Sequence, residues 1–80
     1  SLKFDKEMDN EYYFEWRVDR SVPWTIISHM HYNDINLWWL ICLLNGIQNP
    51  IHFPETGTIL KIFKPKYVRK IIDQIAQKIE

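Results

Sequence analysis

The sequence is poor in the residues that build tight loops and crosslinks. Gly46 and Gly57 are the only glycines among 80 residues, so no glycine-rich loop is available to cradle a phosphate. Cys42 is the single cysteine, which excludes an internal disulfide framework. Set in an apolar run, its thiol is expected to behave as a small core hydrophobe. That run, Leu37 to Leu44, is the longest in the chain and falls far short of the roughly 20 residues that cross a bilayer. Net charge is also missing. Ten basic and ten acidic residues cancel, so no global field recruits nucleic acid or a membrane surface. No signal-peptide pattern is visible, and a reducing, cytoplasmic setting is the expectation. The chain begins at Ser1 without a methionine, which is compatible with processing or excision.

Catalytic constellations are equally scarce. His29 and His31 are two apart on an expected helix and so face different directions, which prevents joint chelation of one ion. His52 falls in a loop, and the acidic residues form no obvious pair for acid–base work. No enzyme activity, cofactor or metal is expected.

Aromatic residues are what the chain has in excess, at 15% Phe, Trp and Tyr. A chain this short buries only about 60% of its unfolded surface, and each buried ring removes roughly 150–250 Å² from water. With 46% hydrophobic and 25% charged residues, the composition is that of one globular domain and not of a disordered chain. Charge is unevenly distributed. Asp5, Glu7, Asp9, Glu11 and Glu15 make the start acidic, and Lys61, Lys64, Lys66, Arg69 and Lys70 make a basic run near the end. These are either solvated faces or complementary surfaces that meet in an assembly.

Residues 1–10 read as an acidic arm that is loose unless docked. Tyr12, Phe14, Trp16 and Val18 then alternate with Tyr13, Glu15, Arg17 and Asp19, the period of a strand with one aromatic face. Ser21 is the expected N-cap, and Pro23 the first-turn proline, of a helix from about Val22 to His31. Val22, Ile26, Ile27 and Met30 form its inner stripe, and Tyr32-Asn33 ends it. Asn33 or Asp34 caps a second helix, Ile35 to Asn45. Leu37, Trp38, Ile41 and Leu44 lie on one stripe of it, and Trp39, Leu40 and Leu43 extend apolar character round the cylinder. Gly46 is placed as the left-handed residue beyond that helix.

In the loop to Gly57, Ile47, Ile51 and Phe53 are expected to turn inward. Thr58 to Lys64 reads as a second strand, with Leu60 and Ile62 on one face and Ile59, Lys61 and Phe63 on the other. After Pro65, Val68, Ile71, Ile72, Ile75 and Ile79 recur at the spacing of an amphipathic helix. The expected fold is therefore α+β: a βααβ unit with a two-stranded antiparallel sheet, two helices on one face, and an extra C-terminal amphipathic helix. The arm spans 1–10 and the domain 11–64. The last helix, 65–80, packs on the domain or on a partner. Phe14, Trp16, Ile27, Ile41, Leu44, Leu60 and Ile62 are the expected core.

This order of elements, with Asn45-Gly46-Ile47, a proline-containing loop and Gly57-Thr58-Ile59-Leu60-Lys61-Ile62, resembles the lysin motif (LysM) domain over about residues 12–63. Asp19-Arg20-Ser21-Val22 stands where that family opens its first helix with Gly-Asp-Thr-Leu. Pro54-Glu55-Thr56-Gly57 stands for its Pro-Gly, and Phe63 for its closing proline. These departures touch the two loops that hold glycan in ordinary members. The aromatic strand, Tyr32-Asn33-Asp34, Leu37-Trp38-Trp39-Leu40 and Asn45-Gly46-Ile47 resemble more narrowly the LysM-like baseplate wedge proteins of contractile-tailed bacteriophages. The trailing helix from Pro65 suits that group as well. The resemblance implies a non-enzymatic virion subunit in the tail baseplate, assembled in the host cytoplasm, with other wedge or hub proteins as partners.

Two candidate surfaces follow. For protein partners the candidates are Trp38, Trp39, Tyr32, Tyr67 and Phe63, because aromatic residues are enriched at interface cores. Trp38 and Trp39 point about 100° apart on their helix, so one of them needs cover from outside it. The alternative function is a glycan-binding LysM module for peptidoglycan or chitin-like sugars. It would use Asp19, Arg20, Ser21, Trp24, Ile47, Asn49 and Pro50 in the two loops. Nucleic-acid binding through the basic run, interleaved with Phe63 and Tyr67, is opposed by zero net charge and the acidic arm. No nucleic-acid or membrane partner is expected.

Overall fold

The computed structural model describes residues 10–79, and the side chains of residues 10–78. Of the expected acidic arm, only Asn10 lies within the described residues. A 3-10 turn, Asn10–Tyr12, leads into strand β1, Tyr13–Arg17. Helix α1, Trp24–Tyr32, is joined by a second 3-10 turn, Ile35–Leu37, to helix α2, Trp38–Leu44. Strand β2, Ile59–Phe63, continues through the turn Pro65–Tyr67 into helix α3, Val68–Ile79. The strands pair antiparallel. The result is the α+β architecture expected from the sequence, a βααβ unit with a C-terminal helix.

Register follows from the alternation of apolar residues. Phe14 lies opposite Ile62 and Trp16 opposite Leu60, which gathers four large side chains on one face of the sheet. Backbone pairing continues past the strand ends, from Lys64 N–H to Tyr12 O (2.9 Å) and from Val18 N–H to Thr58 O (2.9 Å). A two-stranded sheet is marginal alone. Here Trp24 and Ile27 of α1 and Ile41 and Cys42 of α2 close over Leu60, Ile62 and Val18 as a first buried cluster, with Phe14 and Trp16 half-buried at its margin.

A second cluster forms on the opposite face. Phe63 is fully buried there, with Leu40 of α2 and Ile71 and Ile75 of α3. Helix α2 therefore lies between two cores, its Ile41 side toward the sheet and its Leu40 side toward α3. Leu44 packs on the second cluster as a half-buried residue and not at the centre of the first. Of the stripe of α3, Val68, Ile71, Ile72 and Ile75 are spent within the chain.

Helix α1 starts later and is rotated from the sequence expectation. Pro23, not Ser21, is the N-cap residue, with no side-chain cap; its carbonyl accepts from Ile26 N–H at 3.0 Å. Ile26 and Met30 are exposed, while Trp24, Ile27 and Ser28 are buried. The polar atoms on this inward face are tolerated because they find carbonyl partners. Trp24 Nε1–H donates to His52 O at 2.9 Å, and Ser28 Oγ–H donates to Asp34 O. Asn33, at φ 55°, ends α1, as asparagine tolerates the left-handed region. Asp34 then caps the next turn, its carboxylate accepting from Asn36 N–H at 2.8 Å.

The end of α2 explains the Asn45-Gly46-Ile47 motif. Gly46 has φ +65°. Its N–H reaches Leu43 O at 3.3 Å, and Ile47 N–H reaches Cys42 O at 2.9 Å, the two bonds of a Schellman stop. The Asn45 side chain lies along β2, with Nδ2–H donating to Lys61 O and Oδ1 accepting from Lys61 N–H, both at 2.8 Å. Tyr32 Oη–H donates to Phe63 O at 2.9 Å. The outer edge of β2 is thus occupied by side chains from the ends of both helices.

In the loop beyond Gly46, only Ile47 of the three expected anchors turns inward, and it does so partly. Ile51 and Phe53 are exposed, and Pro54 is the buried residue. Trp24 Nε1–H holds the loop through the His52 carbonyl, so its apolar side chains are not needed to fix it.

Candidate functional site

The two adjacent tryptophans of α2 divide between the two cores. Trp38 packs on the first cluster and Trp39 on the second, and both remain half-buried. Their outer portions line a shallow groove of ≈ 320 Å³ with Cys42, Leu43, Ile47 and Pro50. Trp38 and Pro50 also border a second groove, of ≈ 240 Å³, completed by Pro23, Trp24, Thr25, Ile51 and Phe53. Because they share two residues, the grooves form one apolar tract running from α2 across the 46–57 loop to the start of α1.

The remaining partner candidates are less available than the sequence suggested. Phe63 is 0% exposed beneath α3 and offers nothing to a partner. The sequence places it on the face opposite Leu60 and Ile62, and Ile71 and Ile75 of α3 supply its cover. Tyr32 is half-buried with its hydroxyl engaged, and burial raises its pKa above the usual phenol value. Tyr67 meets Tyr12 edge-on at 5.0 Å and carries Lys66 Nζ 5.1 Å from its ring centroid. It packs on the second cluster as a partly covered residue.

The glycan candidates do not converge. Trp24 is 4% exposed with its indole N–H occupied, so it closes the core and cannot stack on a sugar. Asp19 and Arg20 line a separate depression of ≈ 230 Å³ with Trp16, Val22 and Met30. Ser21 is exposed and caps nothing. Asn49 is exposed and uses its Oδ1 to accept Ile51 N–H at 3.2 Å. Ile47 and Pro50 line the apolar tract, Ile47 half-buried and Pro50 exposed. The loops do meet, at Pro23–Thr25 and Pro50–Phe53, but with apolar side chains at the meeting point.

Ile51 and Phe53 are functional candidates that sequence reasoning assigned to the interior. A signal existed in Pro50 and Pro54. A loop already restricted by two prolines and tied by one carbonyl bond needs fewer side-chain anchors than its length suggests.

Titratable groups give little to chemistry. Burial pushes the Cys42 thiol up to about 11, and a thiol with so little thiolate at neutral pH is a poor nucleophile. Among the described residues, no three His, Cys, Asp or Glu side chains are placed to hold a metal, and no helix is long and apolar enough to cross a membrane.

His31 is the titratable group the fold treats most unusually. Its ring meets Trp16 edge-on at 4.7 Å and Phe14 at 5.7 Å, and its buried Nε2 has no hydrogen-bond partner among the described residues. Desolvation lowers its pKa from 6.5. The unfolded chain therefore binds the proton first as pH falls, and stability drops with it. Urea titrations are expected to show a plateau above about pH 7.5 and a decline as pH falls through 6.5. His31→Phe should flatten that part of the profile; an unchanged slope in the variant would assign it to another group.

No protein-family model, curated protein or solved structure matches the chain.

Proposed function

We propose that this chain is a structural subunit of the tail baseplate of a contractile-tailed phage or a related injection machine, a wedge component that acts by protein–protein adhesion and catalyses nothing. The class comes from the resemblance carried by Leu37-Trp38-Trp39-Leu40 and Asn45-Gly46-Ile47. The observation that favours adhesion is the apolar tract around Trp38, on which Ile51 is 79% and Phe53 49% exposed. Contiguous exposed apolar surface on a small domain marks a contact site. Its aromatic anchors, Trp38, Trp39 and Phe53, are of the residue class enriched at interface cores. A sugar would need convergent hydrogen-bonding side chains beside an open aromatic face. This tract has Trp24 closed off, and Asp19 and Arg20 lie in another depression.

On this reading the partners are neighbouring wedge or hub subunits, and the chain resides in the virion after assembly in the host cytoplasm. Immunogold labelling of purified tails is expected to mark the baseplate end; tails that lack the chain would overturn the proposal. In a sedimentation assay with purified peptidoglycan, the chain is expected to stay in the supernatant. Retention that disappears in Trp38→Ala would transfer the tract to glycan recognition instead.

A further inference from the structure

The two edges of the sheet are treated differently. On the β2 edge, the outward groups of Lys61 and Phe63 are met by Asn45 and Tyr32. On β1, the bonds at Tyr12, Val18 and their partners fix the alternation, so the N–H and C=O groups of Tyr13, Glu15 and Arg17 point away from β2. No described residue hydrogen-bonds these outward groups. Among the described elements, only β2 and the turn Asn10–Tyr12 pack their backbone broadly against β1. An open edge of this kind is a template for another strand.

We propose that the open edge of β1 pairs with β1 of a second copy of this chain, antiparallel about a twofold axis at Trp16, giving a continuous four-stranded sheet. The inference stands on β1 alone and does not depend on the baseplate reading. Charge selects both the occupant and the register. Glu15 and Arg17 are exposed and make no ion pair with a described residue. With the axis at Trp16, each Glu15 lies opposite Arg17 of the other copy, on residues whose outward backbone groups face one another. Phe14 then lies opposite Val18, and the two Trp16 rings are neighbours. Moving the axis to Glu15 would set like charges directly opposite, which is disfavoured. The edge carries opposite charges two residues apart, and in antiparallel self-pairing about Trp16 those attract.

Amide hydrogen exchange across a concentration series tests the proposal on the full chain. The amides of Phe14 and Trp16, bonded within the sheet, are expected to be protected at every concentration. Those of Tyr13, Glu15 and Arg17 should gain protection only as the chain dimerises, in step with the mass measured by sedimentation. Glu15→Arg and Arg17→Glu should each weaken dimerisation about tenfold or more, since both symmetry-related pairs become repulsive, and the double exchange should restore it. A monomer at all concentrations would overturn the proposal. So would a dimer indifferent to the single exchanges, or edge amides protected at every dilution, which would mean that a segment of the same chain fills the edge.

Discussion

Phe63→Ala is expected to cost about 3–5 kcal/mol, the range for removing a fully buried aromatic side chain and leaving a cavity. A domain of this length has a total stability on the order of 4–12 kcal/mol, so the variant should lose from about a quarter to all of it. The size of the effect follows from position. Phe63 is 0% exposed and packs with Leu40 of α2 and Ile71 and Ile75 of α3, so one ring joins the sheet to two helices. Ile59, on the same strand and face, is 53% exposed, and Ile59→Ala should cost about 0.5 kcal/mol or less. Urea denaturation of both variants checks the contrast. Equal, small losses would mean that the second cluster contributes little.

Ile71→Asp is expected to unfold the whole domain and not merely release α3. Ile71 is 3% exposed, and an unpaired carboxylate at such a site costs several kcal/mol (about 4 or more). The consequence is global because α2 serves both clusters. Losing α3 uncovers Leu40 and Trp39 on the same helix that holds Ile41 and Cys42 against the sheet. Near-UV circular dichroism from the aromatic core and far-UV helix signal should be lost together. If the far-UV signal fell only by the contribution of α3 while the aromatic signal survived, the two clusters would be independent.

The strands and the strong amphipathic helix were legible because each obeys one clean period. Phe14/Trp16 and Leu60/Ile62 alternate at two, which set face and register together. Val68, Ile71, Ile72 and Ile75 recur as a helical stripe, and the structure buries or half-buries all of them. Gly46 and Asn33 announced their stops through the left-handed region they tolerate. Helix α1 was harder, since its buried stripe of Trp24, Ile27 and Ser28 includes polar atoms that look like surface. What admits them is the backbone carbonyls of His52 and Asp34, and carbonyl positions depend on tertiary structure that no local pattern encodes.

The candidate surface was legible in its centre and not in its extent. Leu37-Trp38-Trp39-Leu40 drew attention to two rings that one neighbour cannot cover. Whether Trp38 or Trp39 would meet α3 depended on how α3 docks, and docking has no local signature. Ile51 and Phe53 were misplaced for a related reason. An apolar residue in a loop is an anchor or a contact according to whether the loop is fixed by other means, and here Pro54 burial and the Trp24–His52 bond fix it.

The most direct measurement of the adhesive role is incorporation of an Ile51→Asp/Phe53→Asp variant into particles that lack the native chain. Both positions are exposed, so the melting temperature should stay within about 2–4 °C of the native value, as for surface changes away from the core. The account predicts a folded variant that is absent from purified tails. A variant that is folded and present in tails at the native amount would contradict it.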